Sequence, residues 1–343
     1  PRAWGNVGFR SNPLVLPRRL VANGDRLYAT LSYHGPLCIL DSATGEVQRK
    51  CKHTKQTHEI VASDNVIVAR VRKLPEGDPR RQKWEDAREM VMGLNAQNGD
   101  LLWERQVDGN LIPLTLSVSN GRVCYHNARE IVCRDLQTGE EEWRAASKPR
   151  SKPRSPAARV KDNLRGNRYS PTLIIYRDVV LFTAAEGLEA FSLASGQRLW
   201  KGPEIRALGR WKNTAQPPGL FGMQGLVWPT GLPGSTDITD LSAVKGYHPE
   251  TGKVEKKISI PKHLLSAGHH VRCYRGKATE RYLLFHMRGV EFLDLEADDH
   301  MRHDWLRGPC SYGFMPANGL MYMPPHQCFC YPGVKVFGFL AMS

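Results

Sequence analysis

The phrase RDLQTGEEEW (134–143) decides the fold, because the chain repeats it. It returns as LDSATGEV (40–47), LNAQNGDLLW (94–103), FSLASGQRLW (191–200) and YHPETGKV (247–254), with a decayed copy, LDLEADDH, at 293–300. The glycines fall at 45, 99, 139, 196 and 252, so the steps are 54, 40, 57 and 56 residues. Self-similarity at such a period marks stacked supersecondary units. Each copy follows a short apolar run such as PLCIL, EIVC or GLEA. A polar Asp, Asn or Ser opens the turn, and a glycine then takes a backbone conformation with φ > 0. The reading is a repeated β-hairpin loop of four or five residues. Trp103, Trp143 and Trp200 stand four residues after their glycines, and Arg49 and Lys256 hold that place in two other copies. One large residue at a fixed place in each unit suits packing between neighbouring units, and the aliphatic stems of Arg and Lys cover similar surface.

Upstream of each hairpin lies another strand-like run: 25–32, 65–71, 121–126, 178–184, 225–230, 281–286 and 319–324. Turn residues flank most of them, as in Asn120-Gly121 and Asn318-Gly319. Seven units result. Residues 83–92 are the best candidate for an amphipathic helix, and little else has helical periodicity. Four-stranded sheets repeated radially form a β-propeller. The expected fold is therefore all-β, a β-propeller of four-stranded blades with seven repeat units, in a ring of seven or eight blades. The 343 residues then form a single domain. Pro1 at the start and Ser343 at the end suggest an excerpt of a longer multidomain chain, in which a signal segment would not be visible. No run of 18 apolar residues is present to span a membrane.

The repeated phrase resembles the pyrroloquinoline-quinone-like (PQQ-like) propeller repeat, over roughly residues 14–306. That repeat is shared by quinoprotein alcohol dehydrogenases and by the outer-membrane assembly lipoprotein BamB. The C-terminal stretches 268–284, 289–296 and 305–335 resemble large PQQ-like propeller proteins of planctomycete-type bacteria. In those proteins such a propeller opens a longer chain, often with a further blade, a second propeller or a methyltransferase domain. The resemblance implies an exported, extracytoplasmic (periplasmic or secreted) location.

The net charge is +14. Much of it sits in 144–168, which holds nine Lys or Arg and one acid, so that without this stretch the net charge is +6. Its prolines and serines mark residues 147–168 as an inserted loop, projecting from the ring with few packed contacts. A second polar insert, 70–89, mixes both signs. No aromatics interleave with the basic run, so a stacking platform for nucleic acid is missing, and specific nucleic-acid binding is not expected. The partners that fit are an acidic protein, a polyanionic glycan or an anionic surface, besides other domains of the same chain.

Cysteine usage falls into two groups. Cys38, Cys51, Cys124 and Cys133 lie in or beside blade strands, where Cys38 and Cys133 act as small hydrophobes. Cys124 and Cys133 are placed to face each other across a hairpin, where a bridge between them is the lesser reading. Cys273, Cys310, Cys328 and Cys330 lie near His269, His270 and His326. The exported location implied by the resemblance favours two disulfides among these four, in one of three pairings, with the Cys328-x-Cys330 pair bridging outward. The alternative is a zinc or copper site drawn from His269, His270, Cys273, Cys310, His326, Cys328 and Cys330.

Arg272, Arg275, Lys277 and Arg281 gather around Glu280. They either clamp an anion or join a salt-bridge network between blades. The ligand-binding candidates are therefore His269, His270, Arg272, Arg275, Lys277 and His326. Quinoprotein dehydrogenases set a vicinal Cys-Cys disulfide against PQQ, and this chain has no such pair. Trp4, Trp211 and Trp228 read as packing residues. No nucleophile elbow, phosphate loop or HExxH motif occurs. The expected function is a non-catalytic extracytoplasmic scaffold or ligand- and partner-binding module of a larger bacterial protein, with no cofactor. The alternative is an oxidoreductase or metal-dependent enzyme, with its site at the propeller axis or at the Cys/His-rich C-terminal blades.

Overall fold

In the computed structural model each repeat unit is one antiparallel sheet, and the sheets stand around a common axis. The structure describes residues 18–32, 35–63, 65–74, 87–149, 171–203, 205–206, 219–230, 232–233, 243–261, 264, 274–286, 289–309, 312–325 and 336–343. Blade one is β1 (Leu20–Asn23), β2 (Arg26–Thr30), β3 (Leu37–Asp41) and β4 (Val47–Lys50). Blade two is β5 (Thr57–Ser63), β6 (Val66–Lys73), β7 (Arg88–Asn95) and β8 (Leu101–Gln106). Blade three is β9 (Ser117–Ser119), β10 (Arg122–His126), β11 (Glu130–Asp135) and β12 (Glu141–Ala146). Blade four is β13 (Leu173–Tyr176), β14 (Val179–Ala184), β15 (Gly187–Ser192) and β16 (Arg198–Lys201). A short ribbon, β17 (Ile205–Arg206) with β20 (Leu232–Pro233), joins the connections around blade five. Blade five itself is β18 (Leu220–Met223), β19 (Leu226–Pro229), β21 (Ala243–Tyr247) and β22 (Val254–Ser259). Blade six is β23 (Lys277–Ala278), β24 (Tyr282–Phe285), β25 (Val290–Asp294) and β26 (Met301–His303). Blade seven contributes β27 (Met315–Ala317), β28 (Leu320–Met323) and β29 (Leu340–Met342). The fold is a seven-bladed, all-β propeller, as the repeats imply. Among the described residues helix is confined to single turns such as Lys52–Thr54.

The first strand of each blade is innermost, and β1, β5, β9, β13 and β18 stand side by side around the axis. The second strands are buried on both faces, which is why they read as unbroken apolar runs: all six residues of Val179–Ala184 are buried. The core is correspondingly divided among the blade interfaces. Tyr28, Leu37 and Ile39 of blade one meet Ile60, Ile67 and Met92 of blade two. Leu226 and Trp228 of blade five meet Leu283, Phe285 and Leu293 of blade six. Trp228 is thus a packing residue.

The hairpin phrase does two jobs. Asp135 Oδ1 accepts the backbone N–H groups of Gln137 and Thr138 at 2.9 and 2.8 Å, and Gly139 follows at φ +67°. The second job concerns the neighbouring blade. Trp103 donates its indole N–H to the Leu136 carbonyl at 2.9 Å, and a Cβ on Gly139 would lie 2.5 Å from its ring. Trp143 treats Leu193 and Gly196 alike, and Trp200 treats Pro249 and Gly252 alike. The three tryptophans therefore occupy equivalent places and latch each blade to the next. Where Trp is missing, Lys256 Nζ donates to the Leu295 carbonyl, while the Arg49 stem lies against Gly99 and Tyr28 Oη donates to the Ala96 carbonyl at 3.1 Å. In the decayed copy, His300 Nδ1 accepts the Asp294 N–H at 3.0 Å, a bond that a backbone carbonyl accepts in the other turns.

Three expectations are corrected. The proposed helix at 83–92 is, from Arg88 onward, strand β7, whose residues 90–94 are buried between blades and pair with β6. Tertiary burial overrides helical periodicity there. The polar insert at 70–89 is narrower for the same reason: Arg70 and Glu89 are buried strand residues bonded to each other at 2.8 Å. The basic insert also starts later than residue 147. Ser147 is buried and donates to Glu189 at 2.6 Å, and the Lys148 carbonyl accepts the Ala185 N–H at 2.8 Å. Residues 150–168 lie outside the described residues. Cys124 and Cys133 are direct cross-strand partners in β10 and β11, and both are free and buried.

His126 makes stability depend on pH. Its ring is buried and stacks on Phe182 of blade four at 4.6 Å, with Nδ1 accepting the Ala128 N–H at 3.0 Å. Burial pushes its pKa down to about 4 from 6.5. Between these values the unfolded chain binds a proton that the folded chain refuses. Stability present above pH 6.5 is therefore lost as the pH falls towards 4, by about 3 kcal/mol. Urea midpoints at pH 7 and pH 4.5 should fall more steeply for the native protein than for His126→Asn. Equal slopes would assign the acid sensitivity elsewhere.

Candidate functional site

The direction of the strands gives the ring two unlike ends. At the turn face lie the short first-to-second-strand turns, such as 120–121 and 318–319, and the repeated hairpins, such as 136–140. At the opposite, loop face each innermost strand begins, and beside short turns such as 127–129 and 185–186 it carries the long connections 74–87, 147–172, 202–219, 260–276 and 324–339.

The residues just before or at the start of the inner strands converge where the axis meets the loop face. Arg18 precedes β1, Glu59 lies near the start of β5, Leu114 and Leu116 precede β9, Thr172 precedes β13 and Arg275 precedes β23. Glu59 is fully buried, and its Oε1 accepts from Arg18 Nε at 3.1 Å and Nη2 at 2.5 Å. Its Oε2 accepts the Leu114 N–H at 3.1 Å. Arg18 Nη2 also donates to the Leu116 carbonyl. Arg275, from blade six, donates to Thr172 Oγ1 of blade four at 2.6 Å, reaching past blade five. Lys277 stands beside it at the start of β23.

The electrostatics show crowding of like charge. Burial, and then Arg18, bring the pKa of Arg275 down to about 10, against a smaller opposing pull from Glu59. Burial, and then Arg275, lower that of Lys277. Both side chains are only partly shielded from solvent.

Of the residues singled out in the sequence, the structure places Arg275 and Lys277 at this end of the axis. Arg281 is separated from them. It lies at the turn face, on Asp294 at 2.7 Å and Asp299 at 3.8 Å. The first of these contacts, helped by the backbone N–H groups of Glu296 and Ala297, holds the Asp294 carboxyl down to about 2. His269, His270, Arg272, Cys273, Cys310, His326, Cys328 and Cys330 lie outside the described residues. Among the described residues no group of three or more His, Cys, Asp or Glu is arranged to hold a metal ion. Arg18, Glu59 and Thr172 escaped the sequence reading. Their shared signal is positional, since each stands at the beginning of an inner strand. A concavity of about 720 Å³ opens at the turn face between blades four, five and six, lined by Tyr176, Phe221, Gln224, Thr279, Glu280 and Glu296.

A family model described as outer membrane protein assembly factor BamB matches residues 5–214, more than half of the chain. The chain belongs to the BamB family. No curated protein matches its sequence. Among solved structures, BamB from Moraxella catarrhalis is 13% identical at a TM-score of 0.50, over 93% of this chain and 79% of that one. The Cps50 (Swd1) β-propeller domain of Myceliophteria thermophila is 14% identical at a TM-score of 0.52, over 90% and 93%. A europium-containing methanol dehydrogenase is 12% identical at a TM-score of 0.47, over 83% and 68%. At these identities the likeness to solved structures is one of fold. The BamB-family match ends before blade six, so Arg275 and Lys277 lie beyond it. Among the described residues no helix is long and apolar enough to cross a membrane.

Proposed function

We propose that this BamB-family propeller is a non-catalytic scaffold that acts outside the bacterial cytoplasm and holds an acidic partner against its loop face. The observation that carries the reading is the asymmetry of the two ends. The turn face is closed by short, repeated turns, whereas the long connections leave the loop face. Long loops held by a rigid frame are where recognition residues accumulate. Eight of the nine Lys or Arg of the basic stretch 144–168 fall in one of those connections, residues 147–172 between β12 and β13. Its charge suits an acidic protein, a polyanionic glycan, an anionic surface or an acidic element of another domain of the same chain. The description of the family as an outer-membrane assembly factor supports both the binding role and the location. The oxidoreductase or metal-dependent alternative places its site at the propeller axis or at the Cys/His-rich C-terminal blades, whose candidate ligands lie outside the described residues. No cofactor enters the reading, and the chain lacks the adjacent cysteines of quinoprotein dehydrogenases.

Immobilised heparin and poly-glutamate test the proposal. The full chain should be retained and released by salt. Deleting residues 150–168 should lower the eluting salt concentration markedly, whereas Lys253→Glu in an exposed turn-face hairpin should change it little. Equal retention after the deletion would overturn the assignment of the loop face.

A further inference from the structure

Neighbouring blades meet in two ways, through an apolar cluster and through a latch over a hairpin turn. Apolar clusters join blade one to two, two to three, and so on to blades six and seven. The joint between blade seven and blade one departs from this. Ala29, Cys38 and Leu40 of blade one are buried, with Leu27 packed against them, and among the described residues no other blade contributes to their cluster. They alternate along β2 and β3 with Tyr28, Leu37 and Ile39, which face blade two, so they stand on the opposite side of the sheet. The latch is missing on that same side. In blades two to six the turn residues Ala96, Leu136, Leu193, Pro249 and Leu295 are buried, and each carbonyl accepts a side chain of the preceding blade. Their counterpart in blade one, Ser42, is exposed. A Cβ on Gly99, Gly139, Gly196 or Gly252 would meet the preceding blade within 2.6 Å, whereas one on Gly45 would meet no described atom within 4 Å. Elsewhere the latching tryptophans stand on the fourth strand of a blade, and among the described residues blade seven has three strands, with β29 outermost.

We propose that the blade-one turn Ser42–Gly45 is the docking site for Trp4, whose indole covers Gly45 and donates its N–H to the Ser42 carbonyl. Residues 1–17 lie outside the described residues, and the choice of Trp4 rests on spacing. Trp103, Trp143 and Trp200 stand 14, 30 and 20 residues before Ser117, Leu173 and Leu220, the first residues of the blades that they latch. Trp4 stands 16 residues before Leu20, the first residue of blade one, and so falls within that range. It follows Arg2-Ala3 as Trp200 follows Arg198-Leu199. A serine at position 42 leaves the backbone carbonyl, which is the acceptor in every latch, unchanged. The indole gives blade one a neighbour on its second side and closes the ring. The turn lies at the end of the ring opposite the loop face, so the latch is independent of the scaffold reading.

Hydrogen exchange of the full chain, read by mass spectrometry on peptides covering 38–48 and 132–142, tests the latch. The two turns hold the same backbone bonds: Gly45 donates to the Asp41 carbonyl at 2.9 Å and Gly139 to the Asp135 carbonyl at 3.0 Å. Trp4→Ala should speed exchange at 41–46 by about tenfold and leave 135–140 unchanged, because local opening then frees one turn alone. Trp4→Phe keeps a ring over the glycine and loses the N–H donor, so it should speed the same amides by about threefold. It also serves where the alanine variant does not fold. Trp305→Ala, at an indole that is 81% exposed, should alter neither turn. Unchanged exchange at 41–46 in the Trp4 variants, or an equal rise in both turns, would overturn the proposal.

Discussion

Replacing Trp143 with alanine should destabilise the propeller by about 3–5 kcal/mol, a large share of the stability of an ordinary domain. The indole is buried between blades three and four, among Cys124, Cys133, Phe182 and Phe191. Its face covers Gly196 so closely that a Cβ there would come within 2.5 Å, and its N–H donates to the Leu193 carbonyl at 2.7 Å. Truncation therefore opens a cavity and also leaves a buried carbonyl without its donor. Trp143→Phe keeps most of the packing and loses the hydrogen bond, so it should cost about 1–2 kcal/mol. The same change at Trp200, which is less buried, should cost less than at Trp143. Urea denaturation followed by far-ultraviolet circular dichroism measures all three. A loss below about 1 kcal/mol for Trp143→Ala would show that the latch is not what joins these blades.

The latch explains how much of the fold the sequence carried and where it fell silent. The turn glycine, its polar opener and the Trp four residues on were all visible, since a period makes weak local signals add. That the Trp of one unit covers the glycine of the next was not visible, because periodicity says nothing about which copy a side chain touches. The same blindness hid Glu89 and Arg70. Read singly they are polar residues of an insert, yet each lies on a strand buried between neighbours, where only a partner makes burial tolerable. The axial cluster was harder still. Arg18, Glu59, Thr172 and Arg275 are up to 257 residues apart in sequence and share no motif. They meet because a closed ring brings the starts of all inner strands to one end of one axis. Lys277 and Arg275 drew notice as part of a basic cluster, but the cluster itself is divided by the fold. Arg281 follows the turn after β23 to the opposite face and settles on Asp294. A linear charge run says nothing of the strand reversal inside it.

The buried ion group in blade two provides the second large effect. Arg70 grips Glu89 with two bonds of 2.8 Å, and Arg72 Nε approaches Glu89 Oε1 at 2.9 Å. The carboxylate is almost fully buried, with a side-chain exposure of 3%, and that of Arg70 is 9%. Glu89→Gln preserves shape and removes the charge, so Arg70 is left as a buried guanidinium facing an amide. The expected loss is about 3–5 kcal/mol, most of it the cost of an uncompensated buried cation rather than the worth of the pair. Arg72, with a side-chain exposure of 26%, can turn towards water and contributes less to that cost. The double change Arg70→Met with Glu89→Leu separates the two quantities. If the pair merely cancels its own desolvation, the apolar replacement should recover most of the stability lost in Glu89→Gln. If the double variant is as unstable as the single one, the charges themselves hold β6 against β7. Denaturant midpoints of the native protein, the single variant and the double variant decide between these outcomes, and we expect the recovery.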